Sequence, residues 1–110
     1  MTDLEMHVNH IADELKKVYA GSIKSEEYED EPMDFYEFFK DVYDVEYTVD
    51  SNKEFKAVSL LVAFGGPNIY VDTNTGTVRG YWWTEHAEAW IPKEICDAIN
   101  DVFSEIYACI

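Results

Sequence analysis

The apolar residues of this 110-residue chain change their spacing twice. Leu4, Val8, Ile11, Leu15 and Val18 recur at intervals of 4, 3, 4 and 3, which is one face of an α-helix. From Val45 the interval falls to two. Val45, Tyr47 and Val49 alternate with Glu46, Thr48 and Asp50, as in a half-buried strand. After Pro92 the helical interval returns in Ile95, Ile99, Val102, Phe103, Ile106 and Ile110. The strand-like region is punctuated by turn signals at Asp50-Ser51-Asn52-Lys53, Gly65-Gly66-Pro67-Asn68 and Thr73-Asn74-Thr75-Gly76. Connections this short favour an antiparallel meander, because parallel strands need a long crossover.

Element boundaries follow from local signals. Thr2-Asp3-Leu4-Glu5 is a capping box and Gly21 a stop, so a helix is expected over 3–20. Residues 22–31 are polar and acidic and read as a loop; composition does not decide whether they order alone or on a partner. Pro32 suits a helical first turn, and Phe35, Phe38, Phe39 and Val42 share a face, so a second helix is expected over 32–43. Strands are expected at 45–49, 55–64, 69–72 and 77–83, with a loop over 84–91 and a last helix from Pro92 onward. The expected fold is one α+β domain, 1–110. It has two N-terminal helices, a four-stranded antiparallel β-meander and a C-terminal helix packed on the sheet. The second face of the sheet is expected to be partly open.

Composition sorts the function classes. The chain carries 23 acidic and 8 basic side chains, a net charge of −15. With 47% apolar and 15% aromatic residues it can still bury a core, unlike a disordered acidic tail. The charge argues against direct binding to nucleic acid, which calls for clustered Lys and Arg, and against anionic membranes. The opening residues MTDLEMHVNH lack the basic and apolar regions of a secretory signal, and the longest apolar run, Val58 to Phe64, is far short of a membrane span. Cys96 and Cys109, 13 apart on one expected helix, would stand about 20 Å apart, too far for a disulfide. They read as reduced thiols, and a cytoplasmic setting is expected.

The acidity is concentrated. Residues 25–50 hold 11 acidic side chains against Lys40 alone. On the expected second helix Asp34, Glu37, Asp41 and Asp44 recur at 3, 4 and 3, a single stripe of carboxylates roughly 5 Å apart. Like charges so placed weaken a helix by a few tenths of a kcal/mol each. One reading is a solvated face that keeps the protein soluble. The other is a recognition surface for a basic groove, since duplex DNA carries a charge every ~1.7 Å of axis. Tyr28, Tyr36, Tyr43 and Tyr47 are interleaved with the acids, and tyrosine suits interfaces and stacks on arginine. On that reading the contact residues are Glu27, Tyr28, Glu29, Asp30, Glu31, Asp34, Tyr36, Glu37, Asp41 and Asp44.

Other residues offer less. His7, His10 and Glu14 share a helical face and could ligate a metal, but the pattern is unspecific. The acids of 26–34 lack the alternation and glycine of a calcium loop. His86 lies between Glu85 and Glu88, with no nucleophile in a supporting setting. Gly65-Gly66 has no phosphate-loop spacing. No enzymatic activity, cofactor or metal is expected. On a strand Trp82 and Trp83 would point to opposite faces, and burial of the second face under the last helix and the 84–91 loop is expected. Exposure would instead mark a partner surface or a homodimer.

The stretch FGGPNIYVDT from Phe64 to Thr73, with Gly80-Tyr81-Trp82-Trp83 and Glu85-His86-Ala87-Glu88-Ala89, resembles a pattern of small acidic proteins of bacterial phages and conjugative elements, chiefly from Firmicutes. The resemblance covers about residues 55–90 and carries over no functional residue. It implies a setting, a bacterial host cell, in which small acidic proteins often inhibit host defence as anti-CRISPR or antirestriction proteins. The expectation is therefore a non-catalytic inhibitor of a defence nuclease. It would use the acidic face to occupy a nucleic-acid channel as a DNA mimic. Its partner would be a basic nucleic-acid-binding protein such as a CRISPR effector or restriction nuclease. The alternative is an accessory protein of a mobile element that self-associates or binds a partner through an aromatic sheet face.

Overall fold

A computed structural model describes residues 1–110. Helix α1 spans Asp3–Tyr19. Its capping box is formed: Thr2 Oγ1 accepts from the Glu5 N–H at 3.2 Å, and Glu5 Oε1 accepts from the Thr2 N–H at 3.0 Å. The chain then reaches α2, Phe35–Phe38, and five strands: β1 Asp44–Val49, β2 Phe55–Ala63, β3 Asn68–Asp72, β4 Thr77–Trp82 and β5 Glu85–Trp90. Helix α3, Lys93–Ala108, closes the fold. The strands form one antiparallel sheet in sequential order. The α+β class and the meander stand as expected.

Three expectations are corrected. The sheet has five strands, because residues 85–90 pair along β4 rather than forming a loop. Ala87 and Ala89 supply the inward period of two, continued by Ile91 just past the strand, but the small alanine side chains make it faint. The second helix is one turn, not twelve residues. Beyond Phe38 the hydrogen bonds shorten to Lys40 N–H to Glu37 O and Val42 N–H to Phe39 O, and Tyr43 N–H already bonds Leu61 O in the sheet. Leaving the helix there avoids stacking four carboxylates in one row. The last helix stops before Ile110, which is 87% exposed rather than part of the apolar face.

Both long helices cover one face of the sheet. α1 lies over β4 and β5, and α3 over β2. Leu4, Val8 and Leu15 meet Leu60, Ile69, Val71, Val78 and Ile99 in a continuous core. Each such fully buried side chain contributes about 1.5–3 kcal/mol. Gly80 lets α1 approach: a Cβ there would lie 2.6 Å from Val8 Cγ2 and 2.8 Å from Leu4 Cδ1. The other sheet face carries no helix. Across it run Asp44, Leu61, Tyr70, Arg79 and Glu88, one from each strand in register. Arg79 is held there by Asp72 Oδ2 at 2.7 Å. No helix is long and apolar enough to cross a membrane.

Candidate interaction surface

The acidic segment is an ordered turn seated on α2. Lys24 bridges Pro32, and the Ser25 N–H donates to Glu31 O at 2.9 Å, closing residues 25–31. Ser25 organises the turn from inside. Its Oγ accepts from the Glu27 and Tyr28 N–H groups at 3.1 and 3.0 Å and donates to Glu37 Oε1 at 2.6 Å. The second Glu37 oxygen accepts from the Glu26 N–H at 2.8 Å. The Ser25 hydrogen bond holds the Glu37 carboxyl below its ordinary pKa, against burial, which would raise it. Ser25 is thus the residue that shapes this surface. A serine ahead of an acidic run is too common to single out from sequence.

The ten residues expected at the contact surface fall into separate groups. Glu27, Tyr28, Glu29, Asp30 and Glu31 sit together on the exposed turn, and Tyr36 and Asp41 are exposed beside it. Glu27 pairs with Lys40 at 3.1 Å, which raises the lysine pKa. Asp34 is the N-cap of α2, its Oδ1 accepting from the Glu37 N–H at 2.8 Å. Glu37 is only 7% exposed, with its carboxylate turned into the turn. Asp44 lies on β1. The single helical stripe of Asp34, Glu37, Asp41 and Asp44 is therefore corrected: those residues span a cap, a buried node, a turn and a strand. The cluster of charge remains, while its regular helical spacing does not.

A second surface lies at the end of the sheet where β2 turns to β3 and β4 to β5. Phe64, expected inside a strand, is 67% exposed just past the end of β2. Trp83, expected on a strand, occupies the two-residue turn between β4 and β5 at φ 56°, 90% exposed. With Tyr81, Trp82 and the Gly65–Pro67 turn they line a depression of about 360 Å³. Tyr43 packs on Phe64 with ring centroids 6.2 Å apart. Trp90, on the open face, is 75% exposed. The expectation that Trp82 and Trp83 point to opposite faces of a strand, with the outer one covered, is thus corrected. Trp83 lies in the turn, Trp82 shares the helix-bearing face with Gly80 by register yet stays 38% exposed, and the 84–91 segment that was to give cover is itself an edge strand.

The remaining candidates do not converge. His10 Nε2 meets Glu14 Oε1 at 2.6 Å, but no three His, Cys, Asp or Glu side chains gather as a metal site. His86 is exposed, paired in register with Tyr81. Cys96 is buried, its thiol pKa raised by desolvation, and Cys109 is exposed. No protein-family model matches this chain, and no curated protein or solved structure matches it.

Proposed function

We propose that the protein is a non-catalytic inhibitor that docks its acidic turn on the nucleic-acid channel of a basic bacterial nuclease, such as a CRISPR effector or restriction nuclease, and excludes the DNA. The observation that carries this reading is the locked turn. Ser25 and Glu37 fix the backbone of 25–31 from inside, so Glu27, Tyr28, Glu29, Asp30 and Glu31 project outward already ordered. A surface ordered before binding loses less entropy on association. A solubilising surface needs no such internal scaffold. Attraction between −15 and a basic channel would steer encounter and weaken with salt.

The test passes the protein over a panel of restriction and RNA-guided nucleases at low salt and at about 0.5 M NaCl, where the screening length falls to roughly 4 Å. Expected is salt-sensitive capture by one nuclease with displacement of its DNA. The informative variant is Glu29→Lys/Asp30→Lys/Glu31→Lys, because these side chains are exposed and carry no turn hydrogen bond. Asp34 and Glu37 are unsuitable, since reversing them would disturb the α2 cap and the buried node. Unchanged capture by the triple variant would remove the acidic turn as the site.

A second reading rests on the exposed tryptophans: self-association through the aromatic sheet end. Two copies would each bring −15 to the interface. That dimer should therefore tighten with salt, the opposite of the first reading, and sedimentation at both salt concentrations separates the two.

A further inference from the structure

We propose that the aromatic end of the sheet is a second docking point for the same basic partner, and that it receives arginine side chains by stacking. The inference rests on the proposed function only in taking that partner to be basic. Phe64, Tyr81, Trp82 and Trp83 line the depression around the Gly65–Pro67 turn. No basic side chain lines this depression. Glu85, in register with Trp82, sets a carboxylate beside the Trp83 turn. The base nearest in register, Arg79, is already held by Asp72. An aromatic patch beside a carboxylate, on a chain of net charge −15, matches a cation with an apolar, planar face. A guanidinium fits that description, because it is weakly hydrated and stacks on rings, whereas an ammonium is compact and strongly hydrated. A second copy of this chain fits poorly, bringing like charge and few bases.

The two surfaces are linked along the chain and in space. Lys40 ties the acidic turn to the end of α2 through Glu27. Asp41 lies in the next depression, beside Val42 and Val62. Tyr43 then meets Phe64, at the mouth of the aromatic end. A basic surface lying along this strip would meet carboxylates at one end and ring faces at the other.

The test uses oligo-arginine and oligo-lysine peptides of equal length, titrated at low salt and followed by tryptophan fluorescence and amide chemical shifts. Oligo-arginine should bind about fivefold more tightly than oligo-lysine. Phe64→Ala/Trp83→Ala should abolish that preference, and Trp90→Ala, an exposed control on the open face, should keep it. Both altered rings are exposed, and the variant's amide spectrum reports whether the fold is kept. Equal affinity for the two peptides, or a preference that survives the double variant, overturns the proposal. If affinities are equal but both fall in Glu29→Lys/Asp30→Lys/Glu31→Lys, the acidic turn stands and only the arginine site is lost. Binding of neither peptide overturns both.

Discussion

Single residues decide whether the acidic turn is a structure or a tail. The Ser25 hydroxyl serves two backbone N–H groups and one buried carboxylate. Ser25→Ala leaves Glu37 without its shortest donor and should destabilise the domain by about 1–3 kcal/mol, measured by urea unfolding. Amide exchange should rise over 26–31 in particular. An unaltered exchange pattern would mean that the turn is held elsewhere. Glu37 adds a pH signature. Its native pKa is depressed, first by Ser25, so the folded state favours the ionised form. That stabilisation is fully present above the ordinary carboxylate pKa and is lost as pH falls through the lower native value. Glu37→Gln should therefore flatten the acid limb of a stability-versus-pH curve while the neutral-pH limb keeps its shape. A limb as steep as in the wild type would assign acid sensitivity to other carboxylates. None of this was legible in the sequence, where Glu37 looked like one of eleven equivalent acids. The difference is a tertiary hydrogen bond to a residue twelve positions away.

At the scale of elements, the legible parts are those whose side chains are large. α1 and α3 were marked by aliphatic stripes, and their structural spans lie close to those expected. β5 was missed because its inward residues are Ala87 and Ala89, and because the turn before it is Trp83-Thr84, with neither Gly nor Asn. The smallness has a cause. α1 crosses closely over β4 and β5, and Gly80 pairs with Ala87 beneath it. The second helix is shorter than its apolar spacing suggests for the opposite reason: its phenylalanines do face the core, but one turn and a bend suffice to bury Phe35 and Phe39. The close approach is testable. Gly80→Ala adds a methyl group against the fully buried Val8 and Leu4 and should cost about 1–3 kcal/mol by overpacking. Combining it with Val8→Ala should recover part of that loss, because the nearest clash, at 2.6 Å, is with Val8 Cγ2. Additive losses in the double variant would place the strain elsewhere.

At the scale of the whole molecule, charge opposes the fold. Only four ion pairs hold side chains together, and one of these depends on a protonated histidine. The net charge stands at −15, most of it in residues 25–50, the turn, α2 and β1. Salt therefore screens far more repulsion than attraction. Raising NaCl from low concentration to about 0.5 M should stabilise the domain by on the order of 1 kcal/mol, the sum of a few like-charge pairs. For a chain of this size that is a Tm increase of about 4 °C. The same salt should weaken capture by a basic partner. The two effects have opposite sign and one origin, so they can be checked against each other. In Glu29→Lys/Asp30→Lys/Glu31→Lys the net charge falls by six to −9, with the internal Ser25–Glu37 scaffold untouched. Thermal unfolding of that variant should start higher at low salt and respond less to added NaCl. Partner capture should fall at low salt in the same variant. A variant that loses capture without gaining stability would show that the turn's charges do not repel one another in the free protein. The acidic cluster would then owe its existence to the partner alone. A variant that gains stability without losing capture would make the turn a solubilising surface and move recognition to the aromatic end of the sheet.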